Sequence, residues 1–303
     1  MISPTAPGQP QDLKAGTGEE LAFVGAAEFF GRCVPQPISD LVAEQTGLPT
    51  VNLAVHNAGL DVFLRDGAII DICRRSRATV LQIVGAHNMS NRLYSVHPRR
   101  NDRLVGATDM LRALYHDVDF TEFNFTQHML NTLQAHCPSR FQVIEQELQA
   151  AWTARMKTLI DRIGGRIVLL WMSEAPCESH IAPTDRWKSP LFVTSSMVEE
   201  LRPLVSEIRI CHVSAAARAT QADGMVVSAQ EADMAASLPG PSAHAEAAAH
   251  VVDSLSDLAA RLPETITGPP LMASPVMATL QNPANQSFST SSGTAVKRSA
   301  TSP

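Results

Sequence analysis

Three short segments collect most of the groups that could do chemistry. They are Gly25-Ala-Ala-Glu28 with Gly31, His56-Asn-Ala-Gly59, and Gly85-Ala-His-Asn88 followed by Asn91 and Arg92. A carboxylate such as Glu28, partly desolvated in a cleft, can be tuned toward neutral pH and serve as general acid or base. Asn57 and Asn88 can offer side-chain N–H groups to a carbonyl oxygen or an anion, and Gly59 and Gly85 let backbone approach a ligand closely. A fourth segment, His97-Pro-Arg-Arg-Asn-Asp-Arg103, adds Arg99, Arg100 and Arg103 to Arg92. Guanidinium forks match phosphate, sulfate or carboxylate bidentately. Ala27 occupies the apex where an α/β enzyme would mount a nucleophile.

Each group also has a plainer use. Glu28 can cap a helix or pair with Arg32, Asn and Gly make turns everywhere, and the arginines can pair with Asp102, Asp109, Asp117 or Asp119. His56 and His87 read as hydrogen-bonded fillers beside strands. Tyr94, Phe120, Phe123 and Phe125 read as packing, Ser195 and Ser196 as helix caps, and Cys177 and Cys211 as inert thiols. No converging carboxylate set points to a metal, and no motif points to a cofactor.

The elements that must position these residues follow from hydrophobic patterning. The β-branched-rich runs Leu21–Val24, Thr50–Val55, Ala78–Val84, Arg166–Met172 and Glu207–Val213 read as buried parallel strands. Between them, Ile38–Gly47 and Ala58–Arg75 read as helical crossovers, so right-handed βαβ units are expected. The fold class is α/β: a three-layer α/β/α domain with a five-stranded parallel sheet, flavodoxin-like, over about residues 19–263. An insertion spans about 88–127 and leads into amphipathic helices at Gln127–Ala135 and Arg140–Ile163, the second ending at Gly164-Gly165. A Pro-bearing loop covers Glu174–Pro190, and Ala243–Leu262 forms a closing helix. Residues 1–18 and 264–303 are rich in Pro, Gly, Ser and Thr and are expected to be disordered.

Composition bounds the function. The 303 residues are 45% hydrophobic and 18% charged, as in an ordinary globular protein. A net charge of −6 argues against bulk nucleic-acid binding, and no run approaches the roughly 20 apolar residues of a membrane helix. The start of the chain lacks the basic-then-apolar order of a signal peptide. The five scattered cysteines suggest neither a disulfide framework nor a zinc knuckle, so a reducing cytoplasm is expected. The oligomeric state is left open.

In an open parallel sheet, ligands bind beyond the carboxyl ends of the strands, where these segments lie. Gly25-Ala-Ala-Glu-Phe-Phe-Gly31, Asn52-Leu-Ala-Val-His-Asn-Ala-Gly59 and Gly85-Ala-His-Asn88 resemble the first three blocks of SGNH/GDSL hydrolases. That resemblance implies an SGNH-like fold, with Gly25, Ala27, Gly59 and Asn88 at the positions of the first glycine, the nucleophilic serine and the two oxyanion-hole donors. It departs from the family at Ala27 and again at Ala235-Ala-Ser-Leu-Pro239, where an Asp-x-x-His-Pro block would stand. His244, five residues later, is the nearest imidazole. The runs Val84–Arg103, Asp119–Phe125 and Leu238–His244 are similar, more closely, to a bacterial family labelled only as a domain of unknown function.

The expectation is a crevice that binds a small polar or anionic ligand through Gly25, Ala27, Asn57, Gly59, Gly85, Asn88, Asn91, Arg92, Arg99, Arg100 and Arg103. Glu28, or else His244, would be the acid or base of a non-serine hydrolase or group transferase acting on an ester or saccharide. The alternative is a catalytically inactive binding protein with a degenerate hydrolase site.

Overall fold

Strand formation follows burial. In the computed structural model, which describes residues 18–174 and 190–261, Leu21–Val24 is inaccessible to solvent on both faces. Such a run must lie inside a sheet covered on two sides. This strand, β1, runs into the single-turn helix α1 (Ala27–Phe30), and α2 (Ile38–Thr46) returns the chain to β2 (Thr50–Asn52). Helices α3 (Leu60–Arg65) and α4 (Gly67–Arg75) then lead to β3 (Ala78–Gln82). The expected single crossover over 58–75 is broken at Asp66, whose Oδ1 accepts from the Ala68 and Ile69 N–H groups and starts a new helix.

The insertion carries a hairpin, β4 (Tyr94–Val96) with β5 (Leu104–Ala107), then α5 (Asp109–Leu114). Helices α6 (Thr126–His136) and α7 (Pro138–Ile163) follow, then β6 (Ile167–Ser173), α8 (Ser195–Glu199) and β7 (Glu207–His212). The chain continues through α9 (Ala215–Ala219), α10 (Ala232–Ala235) and α11 (Pro241–Arg261). The hairpin has no signature in the sequence, because strands of three and four residues are too short to show alternation. Thr194, rather than Ser195 or Ser196, caps α8. Phe120 and Phe123 are buried as expected, whereas Phe125 is 42% exposed.

The main sheet has the order β2-β1-β3-β6-β7 with every pair parallel, the doubly wound order of flavodoxin-like folds. Alternation along β1 divides the core. Leu21 and Phe23 pack with Phe29, Ile38, Val42 and Val251 under α2 and α11, while Ala22 and Val24 pack with Phe63, Leu81, Trp152 and Met156 under α3 and α7. From β1 the chain goes first to β2 on one side and then to β3 on the other. The ends of these strands therefore form the topological switch point where a ligand crevice is expected.

Among the described residues no helix is long and apolar enough to cross a membrane. Contacts divide the chain into Met1–Pro263 and Glu264–Pro303. The expected disordered ends fall outside the described residues except Gly18, as do Cys177 and most of the loop over 174–190.

Candidate functional site at the tips of the first three strands

The turn after β1 is held by a buried glutamine. Gln82, 2% exposed at the end of β3, accepts the Ala26 N–H at 2.7 Å through Oε1 and donates from Nε2 to Glu28 Oε2 at 2.9 Å. The amide orientation follows: its acceptor end is taken by a backbone donor, so its donor end must face the carboxylate. α1 has no side-chain cap of its own at Ala26, and Gln82 satisfies that amide instead. A Cβ on Gly25 would lie 2.4 Å from Gln82 Oε1, so the bare backbone there is what lets the glutamine lie across the turn. Glu28 is half-buried. Arg32, considered above as its partner, bonds Glu231.

The turn after β2 docks on the turn after β3. A Cβ on Gly59 would sit 1.5 Å from the Asn88 carbonyl oxygen, so the two backbones touch only because residue 59 has no side chain. The Gly59 N–H is bonded to Asn101 Oδ1 at 3.0 Å, and the same oxygen takes the Val62 N–H at 3.2 Å. Fully buried Asn101 thus caps α3 from the hairpin tip, and its Nδ2 donates to the His97 carbonyl. Asn57 is exposed at a left-handed φ of 56° and shapes the turn. The Val55 N–H donates to the Gly25 carbonyl at 2.9 Å, and this bond joins the β1 and β2 tips.

Asn88 is 8% exposed, and its Oδ1 accepts from Thr126 Oγ1 at 2.7 Å, which leaves Nδ2 as the donor end. The surrounding turn is braced by α3, α7 and the hairpin strand β4. Trp152 Nε1 donates to the Val84 carbonyl, Tyr94 Oη to the His87 carbonyl, and Arg155 Nε to Asp61, whose other oxygen accepts the Ser90 N–H. Asn91 is used locally: its Oδ1 accepts from the Leu93 and Tyr94 N–H groups. Gly85 packs beneath the His87 ring and the Leu191 backbone.

The arginines divide into distinct environments. Arg92 binds Glu147 through its backbone N–H and Nε, at 3.0 and 2.7 Å, and with Nη2 as well. Glu147 is buried; the Arg92 hydrogen bonds outweigh its desolvation and hold its carboxyl below the usual range. Arg99 and Arg100 are exposed at the hairpin tip, their backbone N–H groups both bonded to His97 Nδ1. The Arg103 guanidinium stacks 4.4 Å over the exposed Phe125 ring, and its buried Nε has no hydrogen-bond partner among the described residues.

The histidines differ as sharply. His244, 1% exposed in the first turn of α11, accepts the Ile38 N–H at 3.1 Å through Nδ1, so this nitrogen caps α2. Burial pushes its pKa down to about 4. Burial does the same to His87, also to about 4. His56 is lowered by burial first and then by the Arg32 cation, against the opposing carboxylates of Asp102 and Glu28.

Residues 10–259 match the model of a family described as "Domain of unknown function (DUF6473)". The chain belongs to that family. Among curated proteins, none matches this DUF6473 chain. Among solved structures it is similar to a carbohydrate esterase family 2 enzyme plus carbohydrate binding domain from Corynascus thermopiles (Myceliophthora fergusii). That alignment has 12% identity over 85% of this chain and 69% of that chain, at a TM-score of 0.43. It is also similar to a lipase from goat rumen metagenome, with 12% identity over 78% of this chain and 96% of that chain, at a TM-score of 0.36.

Sequence reasoning passed over Gln82, Asn101, Thr126 and Glu147. Gln82 carried a signal, since an amide inside Thr79-Val-Leu-Gln-Ile-Val84 interrupts an apolar strand at its carboxyl end. Asn101 carried none, being one polar residue in a polar loop.

Proposed function

We propose that this DUF6473 protein binds a small polar or anionic ligand at the carboxyl ends of β1, β2 and β3. We further propose that it acts there as a non-serine hydrolase or group transferase on an ester or saccharide, with Glu28 supplying the carboxylate for acid–base chemistry. The observation that carries this reading is the Gln82 bridge between the Ala26 N–H and Glu28. A neutral donor thus fixes the carboxylate at the switch point, where acid–base chemistry would need it. Asn88 Nδ2 supplies a donor on the third turn, and Arg99, Arg100 and Arg103 supply positive charge from the hairpin tip. Turnover of a panel of activated esters and sugar acetates by wild type and Glu28→Gln tests it. Loss of turnover in the variant supports the reading, and undiminished turnover overturns it.

A second reading, a binding protein without catalysis, is favoured by one specific observation. The Gly59 N–H, an oxyanion donor in the hydrolases the sequence resembles, is already bonded to Asn101. Absence of turnover across the panel, together with phosphate or sulfate binding that weakens in Arg99→Ala or Arg100→Ala, selects this reading. Unchanged anion affinity in both variants removes the arginines from either one.

A further inference from the structure

We infer that His56, at the tip of β2, is the imidazole that transfers protons in this hollow. The inference rests on the catalytic reading above and names a second residue for it. The β1–β2 register pairs Leu21 with Thr50, Ala22 with Val51 and Phe23 with Asn52. Backbone bonds from Leu53 to Phe23 at 2.8 Å and from Val55 to Gly25 at 2.9 Å carry the same register past the end of β2. Ala26 then stands beside Val55, after which one chain enters α1 at Ala27 and the other turns at His56, the Ala58 N–H closing that turn on the Val55 carbonyl at 3.0 Å. Ala27 and His56 are thus the first residues beyond the paired ends of β1 and β2.

Its surroundings fit that use. The ring lies 6.3 Å from that of Phe30, the last residue of α1, which also carries Glu28. Its Nδ1 is buried with no hydrogen-bond partner among the described residues, and a buried unmet nitrogen calls for a functional account. The charged groups facing it are Arg32, Asp102 and Glu28, and the balance of burial and charge favours the neutral ring, the form able to accept a proton. Of two further imidazoles, His244 is committed to Ile38, and His87, whose Nδ1 is likewise buried with no hydrogen-bond partner among the described residues, packs against Gly85 on the turn after β3 and away from α1 in sequence.

In the step assigned to it, His56 takes a proton from water as the water oxygen bonds to the ester carbonyl carbon. The bond from that carbon to the leaving alkoxide then breaks, and the imidazolium passes the proton by way of the Glu28 carboxylate to the alkoxide. Ester and water become acid and alcohol.

The test is steady-state hydrolysis of 4-nitrophenyl acetate and acetylated xylose by the full chain, by His56→Gln and by His56→Gly, with melting temperatures recorded for each. The expected result is a kcat lowered about 100-fold in His56→Gln with KM nearly unchanged. The acid limb of the wild-type profile should fall below the ordinary imidazole value of about 6.5, and added imidazole should restore rate to His56→Gly. Activity of His56→Gln within about threefold of wild type, while Glu28→Gln is inactive, overturns this inference and leaves the Glu28 reading standing. Absence of turnover by wild type removes both. Should the variants not fold, a wild-type acid limb that fails to track the His56 ring titration followed by nuclear magnetic resonance overturns it.

Discussion

Adding one methyl group at Gly59 should test whether the β2 and β3 tips meet as described. The Cβ of Gly59→Ala would stand 1.5 Å from the Asn88 carbonyl oxygen and 2.5 Å from its carbon, both backbone atoms. Ordinary contact is nearer 3.5 Å, so the two turns must separate by about 2 Å, which also breaks the Gly59 N–H bond to Asn101. Overpacking costs about 1–3 kcal/mol, and an orphaned buried amide about 1–3 more. A total of about 2–6 kcal/mol is a large share of the roughly 5–15 kcal/mol that holds a domain together. For a domain of this size it should lower the melting temperature by about 4–24 °C. Gly67→Ala is the internal control. Nothing lies within 4 Å of its new Cβ, and in the first turn of α4 alanine should raise stability by about 0.5–1 kcal/mol. Calorimetric melts of the two variants check both signs. A Gly59→Ala protein melting within about 2 °C of wild type would refute the contact between the two tips.

Other perturbations follow from the same geometry. His244 titrates at about 4 when folded and near 6.5 when unfolded. The unfolded chain therefore binds more protons between these values, and the stability present above about pH 6.5 is lost on acidification toward 4, about 3 kcal/mol from this residue. Urea melts of His244→Gln, whose amide oxygen can still accept the Ile38 N–H, should show a pH slope shallower by about one proton in that window. Asn101→Ala strands the Gly59 and Val62 amides and should cost about 2–4 kcal/mol in chemical denaturation. Arg92→Ala leaves the Glu147 carboxylate buried with one backbone donor and should lower the urea midpoint, with much of the loss recovered by adding Glu147→Gln. Sulfate affinity measured on the same Arg92→Ala protein should be unchanged, because this guanidinium is engaged within the fold.

The parallel sheet, its strand assignments and the gathering of Gly25, Gly59 and Asn88 near one end were legible in the sequence. Strands buried on both faces must be apolar throughout, and their alternation with helical segments leaves few ways to wind a sheet. That residue 27 is an alanine, with no hydroxyl, is likewise a covalent fact that no fold can alter. Partnership was a different matter. In sequence Glu28 reads beside Arg32, yet Gln82, 54 positions further along the chain, donates to it. Arg92 was read beside nearby aspartates, yet Glu147 in α7 takes it. Asn101 looked like a loop residue and is the cap of α3. Hydrophobic burial depends on a periodicity that any stretch of chain carries within itself. A hydrogen bond, by contrast, depends on two distant atoms arriving within about 3 Å in the right orientation, and only the assembled backbone sets that distance.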